Sequence, residues 1–126
     1  RTGKHYGGRG PAVDADNNER GVLRLPRAEV PVATFTGWNR RSPSLGAETE
    51  LLSLTGSRIP FSVTPAQRAE TGDPRQSVRE RYADFEDYRS RYMAAAEQLV
   101  RDRYLLSEHL AGLETIAHEH RSLFRE

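Results

Sequence analysis

No cysteine occurs anywhere in the 126 residues, which excludes a disulfide framework, a thiolate nucleophile and any cysteine-ligated zinc site. The same absence leaves the compartment open. Long apolar runs are missing too: none approaches the ~18 residues that span a bilayer, nor the apolar middle of a signal peptide, so no membrane partner is expected. Charge of one sign is not in excess. Lys and Arg number 19 against 18 Asp and Glu, a net charge of +1, which supplies no field to gather nucleic acid. Residues 1–60 hold nine basic and six acidic side chains, and residues 61–126 hold ten and twelve, so neither half is a polyelectrolyte tail. Apolar residues, at 36%, are scarce for a small chain that must close its own core, and a partner surface is therefore expected. A starting methionine is lacking as well. The first residue is Arg1, and the natural N-terminus is expected upstream of it.

What is present divides into three segments. Residues 1–20 are rich in Gly, Asp, Asn and charge, with Gly3, Gly7, Gly8 and Gly10 removing side chains that would anchor a core, and read as a flexible arm or linker. Residues 21–63 form an extended docking segment. Pro26 and Pro31 interrupt its apolar runs, so any strand is brief or at an edge. Residues 30–36 are the best strand, ended by Gly37, and Ile59-Pro60-Phe61 is an apolar anchor. At most one or two short strands are expected in this irregular half.

Residues 64–126 are helical. Thr64-Pro65-Ala66-Gln67 places a hydroxyl at the N-cap, proline at the first helical position and Gln three residues after the cap. Gly72 and Pro74 stop that helix. Ser77-Val78-Arg79-Glu80 is a second capping box, and Asp84 with Asp87 marks a third start. A long helix is expected from 85 to about 104, because Phe85, Tyr88, Tyr92, Ala95, Ala96, Leu99 and Val100 make one apolar stripe about 30 Å long at about 1.5 Å per residue. Ser107 caps a last helix bearing Leu110, Leu113, Ile116 and Ala117, and the two helices make an αα-hairpin.

No constellation completes a catalytic site. Ser57 follows Gly56, but Arg58 and Ile59 stand where a G-x-S-x-G elbow needs its second glycine; a loop serine is the simpler role. His118 and His120 are two apart and point about 200° from each other on a helix, whereas a chelating pair wants three or four. With His109 they read as solvated histidines on a terminal helix. Asp14-Ala15-Asp16-Asn17-Asn18 opens like an EF-hand loop, but Glu19 and Leu25 occupy the positions that need Gly and Glu, so an Asx turn is expected. The Gly3-Lys4-His5-Tyr6-Gly7-Gly8-Arg9-Gly10 stretch resembles RNA-binding tails in composition, but one copy in a neutral chain does not make a nucleic-acid binder. Trp38, the single tryptophan, and its neighbour Asn39 are the candidate core or pocket contacts.

Several ordered stretches carry a family resemblance: Asp14-Ala15-Asp16, Gly21 with Arg24-Leu25-Pro26, Val30-Pro31-Val32-Ala33-Thr34-Phe35-Thr36-Gly37-Trp38-Asn39, Leu54-Thr55-Gly56-Ser57-Arg58-Ile59-Pro60-Phe61, Thr71-Gly72-Asp73-Pro74-Arg75 and Ser77-Val78-Arg79-Glu80-Arg81-Tyr82. Over residues 14–117 they resemble the C-terminal region of the bacterial alpha/beta hydrolase domain family. Phe35 departs from the tyrosine of that pattern, which removes any hydroxyl role there. The resemblance implies a parent serine hydrolase acting on an ester or related acyl bond without metal or organic cofactor. Its nucleophile and histidine would precede Arg1. On this reading the three segments together amount to less than one complete α/β-hydrolase domain, and the partner is the upstream hydrolase core of the same protein. The alternative is an independent small helical interaction module, whose stripe from Phe85 to Val100 binds a partner helix. Oligomeric state is left open.

Overall fold

A computed structural model of the protein describes residues 12–21, 23–40, 44, 51–53 and 56–125. The described chain opens with the Asx turn. Asp14 Oδ1 accepts from the backbone N–H groups of Asp16 and Asn18, each at 2.9 Å. Asn17 takes a left-handed φ of 61°, which Asn tolerates better than most side chains, and Val13 bridges to Glu19. Helix α1 (Pro26–Glu29) follows, a single turn with proline at its start, where the missing N–H costs nothing. Pro26 thus begins a helix rather than interrupting a strand.

Strand β1 (Ala33–Phe35) is the middle of the expected 30–36 strand. It pairs antiparallel with β4 (Arg58–Pro60), Ala33 opposite Pro60 and Phe35 opposite Arg58. Between them β2 (Trp38–Arg40) pairs with β3 (Leu51–Ser53), Trp38 opposite Ser53. The result is two nested two-stranded ribbons. Each strand is an edge, which is how Pro60 is accommodated.

Gly56 sits where the ribbons meet, and a Cβ there would lie 2.0 Å from the Thr36 carbonyl oxygen. A backbone atom cannot swing aside as a flexible side chain can. Gly56→Ala is therefore expected to cost about 1–3 kcal/mol, read as a fall in denaturation midpoint.

The helices start where their caps stand. For α2 (Pro65–Thr71), Thr64 Oγ1 accepts from Gln67 N at 3.2 Å, and Gly72 closes the helix at φ 63°. For α3 (Val78–Arg81), Glu80 accepts from the Ser77 N–H at 2.8 Å and from its hydroxyl at 2.6 Å. For α4 (Phe85–Arg101), Asp84 Oδ1 accepts from Asp87 N at 2.8 Å. Helix α4 stops short of 104, where Arg103 turns left-handed at φ 63°. A 3-10 turn (Ser107–His109) leads into α5 (Leu110–Glu119), and a second (His120–Phe124) ends the described chain. The second half is mainly helical and the first half irregular, with short antiparallel strands.

The α4 stripe carries the core. Tyr88, Tyr92, Ala96 and Leu99 are buried along it, and α1 and α5 pack on the same helix. Val30, Val32, Phe61, Val78, Tyr82 and Ala117 complete the interior. Tyrosine lets a chain with few apolar residues do this, since each ring removes a large area from water. Two of the buried hydroxyls are satisfied: Tyr82 donates to Pro31 O at 2.9 Å, and Tyr88 shares a 2.8 Å hydrogen bond with His120 Nδ1. On the outer face Arg91 pairs with Asp87 at 2.7 Å and Arg101 with Glu97 at 3.8 Å, in the acidic-first order that favours helix. Among the described residues no helix is long and apolar enough to cross a membrane.

Candidate functional site

Among the described residues a cluster of polar side chains joins the first turn and the ribbon to α3. Arg81 binds both oxygens of Asp16, with Nη1 to Oδ2 at 2.7 Å, and its Nε donates to Gln76 O at 3.0 Å. Arg75 grips Asp73 through Nε at 2.9 Å and Nη2 at 2.6 Å, and donates to Thr34 Oγ1 (2.8 Å), Ile59 O (3.2 Å) and Pro60 O (3.3 Å). Both guanidinium groups lie against the Phe61 ring, at 4.9 and 4.5 Å from its centre, so charge and aromatic face attract as well. Arg24 donates to Asp14 Oδ2 at 2.7 Å and to Ala28 O.

The electrostatics follow from these partners. Burial works to raise the Asp14 carboxyl, but the Arg24 hydrogen bond and the backbone donors outweigh it and hold it below the ordinary 3.8. The Arg75 hydrogen bond, ahead of all else, lowers Asp73 in the same way. A carboxylate that holds its proton so weakly is a poor general base at neutral pH. Their stabilisation is complete above the unfolded value and lost as pH falls through the folded one. Open clefts of about 780 and 400 Å³ flank the junction, one beside Arg75 and Phe61, the other beside Asp16 and Arg81. With their guanidinium groups already committed to carboxylates, Arg75 and Arg81 act as fasteners.

The remaining sequence candidates are dispersed. Ser57 Oγ donates to Asn39 Oδ1 at 2.5 Å, and Ser57 N donates to Thr36 Oγ1 at 2.9 Å. Asn39 therefore ties β2 to the start of β4. Trp38 stands in β2, but its indole lies outside the described residues, as do His5 and the glycine-rich arm. His118 packs on Phe85 with ring centres 5.3 Å apart, and His109 is exposed. His120 differs from its expected solvated role, because it opens the last 3-10 turn and reaches the buried Tyr88 hydroxyl. Among the described residues no three metal-ligating side chains cluster, and Asp14 and Asp16 are taken by arginine.

Burial, then the Arg58 charge, holds His120 below the ordinary 6.5, with Glu119 opposing. The neutral form belongs to the fold, so its contribution is present above pH 6.5 and lost as pH falls through the folded value. The denaturation midpoint is expected to fall between pH 7.5 and 5.5, and His120→Gln to flatten that step. An unchanged step in the variant would place the titration elsewhere.

A helical layer fastened to a bent ribbon by arginine, with its core built on one amphipathic helix, is the class of structure these residues define. The family described as alpha/beta hydrolase domain matches residues 2–114, and the chain belongs to that family. No curated protein and no solved structure matches the chain.

Proposed function

We propose that this chain is the C-terminal accessory and structural segment of an α/β-hydrolase-like serine hydrolase, whose nucleophile and histidine lie in polypeptide preceding Arg1. One observation carries the reading. The stretches on which the family resemblance rests supply Asp14, Asp16, Arg24, Thr34, Phe61, Asp73, Arg75 and Arg81, and these side chains are spent on one another. They fasten the segment, and none is paired as a nucleophile with a base. The one serine suggestive from its sequence context, Ser57, hydrogen-bonds an amide oxygen instead of an imidazole. The bond hydrolysed by the whole protein would be an ester or related acyl bond.

The test is the chain itself with p-nitrophenyl acetate and a fluorophosphonate probe. Hydrolysis at the buffer rate and no covalent label are expected, with Ser57→Ala indistinguishable. Turnover of the ester that Ser57→Ala abolishes would end the proposal. The core built on α4, α1 and α5 favours a second reading, an independent helical interaction module. The reading frame upstream of Arg1 separates the two: a G-x-S-x-G elbow followed by a histidine supports the hydrolase segment, and an initiation codon within a few residues supports the module.

A further inference from the structure

The terminal 3-10 turn (His120–Phe124) is held at both ends by one residue of α4. At its start His120 Nδ1 shares the 2.8 Å hydrogen bond with the Tyr88 hydroxyl, and at its end the Phe124 ring stacks on the Tyr88 ring with centres 5.5 Å apart. Phe124 also meets Tyr82 and Phe85 edge-on, at 6.3 and 5.9 Å, so the turn covers an aromatic face. Just past the turn, Arg125 O accepts from Arg79 Nη2. Tyr88 is fully buried, and the one hydrogen-bond partner its hydroxyl has among the described residues is His120. A phenol shut off from water needs an acceptor for its proton, and a neutral imidazole offers one nitrogen. That partner set assigns the shared proton to Tyr88 and the imidazole's own proton to Nε2.

We infer that the terminal turn is an acid-released latch: neutral His120 seats it on Tyr88, and protonation frees it, uncovering the Tyr82, Phe85 and Tyr88 rings while α4 stays folded. A proton on Nδ1 takes the place of the phenol's acceptor, and a buried donor left without one is costly. The charges facing the imidazole are Arg58 from β4, which repels the cation, and Glu119 at the end of α5, which attracts it. His118 and Arg121 lie on the Phe85 ring instead. The balance disfavours the cation, in keeping with the lowered His120 value. Docking is therefore complete where His120 is neutral and weakens as pH falls through the docked value. The turn yields before the helix because Leu123 and Phe124 are only partly buried, whereas Tyr88, Tyr92 and Ala96 on α4 are buried outright. Segments with fewer buried contacts open at lower free energy than the core. Nothing in this inference depends on where the hydrolytic residues of the parent protein lie.

The test is amide hydrogen exchange of the full 126-residue chain, read by mass spectrometry at pH 7.5 and 5.5 with labelling times scaled to the intrinsic exchange rate at each pH. Protection of residues 120–125 is expected to fall roughly fivefold at the lower pH, the weight of one neutral hydrogen bond, while residues 85–101 keep theirs. His120→Gln, whose amide oxygen accepts from Tyr88 without titrating, should show equal protection at both. Arg58→Gln, at an exposed strand position, should shrink the step, because the cation that repels the imidazolium is gone. Phe124→Ala should leave residues 120–125 unprotected at either pH with α4 still protected, the state that acid produces. Equal protection of the turn at both pH values in the unmodified chain overturns the inference. So does a step that survives His120→Gln or that Arg58→Gln fails to shrink. Loss of protection shared equally by residues 85–101 would make the event global unfolding and overturns the latch as well.

Discussion

Arg81→Leu is expected to remove about 3 kcal/mol of folding stability. The substitution deletes two bonds to Asp16, one to Gln76 O and the contact on Phe61, and it leaves the Asp16 carboxylate without its counter-ion. Breaking a buried pair by removing one partner costs about 3–5 kcal/mol, and the lower end applies because both side chains keep some contact with water, at 14% and 15% exposure. Pairing it with Asp16→Leu should recover part of the loss, since the stranded charge goes too. Urea denaturation of both single variants and the double variant measures the coupling. Strictly additive losses would show that the two side chains are independent, and the junction would then not be the fastener described.

Tyr88→Ala is expected to cost about 3–5 kcal/mol, the range for deleting a large buried ring. Tyr88 is fully buried and meets Tyr82, Tyr92, Phe85 and Phe124 at centre distances of 5.2 to 6.4 Å. For a domain whose whole stability is about 5–15 kcal/mol, that loss leaves little cooperative folding at 37 °C. Tyr88→Phe separates ring from hydroxyl: it keeps the packing, leaves His120 Nδ1 without its partner, and should cost about 1 kcal/mol. Near-unity ratios between the two variants in thermal denaturation would contradict this placement of the core.

The helical half was legible because its signals are local. Thr64 with Gln67, Ser77 with Glu80 and Asp84 with Asp87 are each three residues apart, and each makes the bond its spacing implies. The stripe from Phe85 to Val100 likewise follows from period alone. The ribbon was legible only in part. Pro60 correctly pointed to an edge, but the pairing of β2 with β3 has no signature in its residue pattern. Least legible was the junction. Any arginine in the chain can meet any carboxylate, and nothing at Asp16 names Arg81, 65 positions away. The solvated reading of His120 fails because it carries an α-helical period one residue too far; the 3-10 turn that begins there rotates about 120° per residue and brings the ring to Tyr88. Asn39 was singled out beside Trp38, while its partner Ser57 lies 18 residues on, beyond the reach of any local rule.

The wide spacing of these fasteners has a temporal side. The turn holding Asp14 and Asp16 leaves the ribosome 65 residues ahead of Arg81, which at about 5–20 residues per second is a wait of roughly 3–13 s. Through that interval the Asp16 carboxylate has no counter-ion, and Phe61, made 20 residues before Arg81, still lacks the second of its two cations at the end of it. The pace of synthesis thus sets how long the acidic turn waits for the cation that neutralises it.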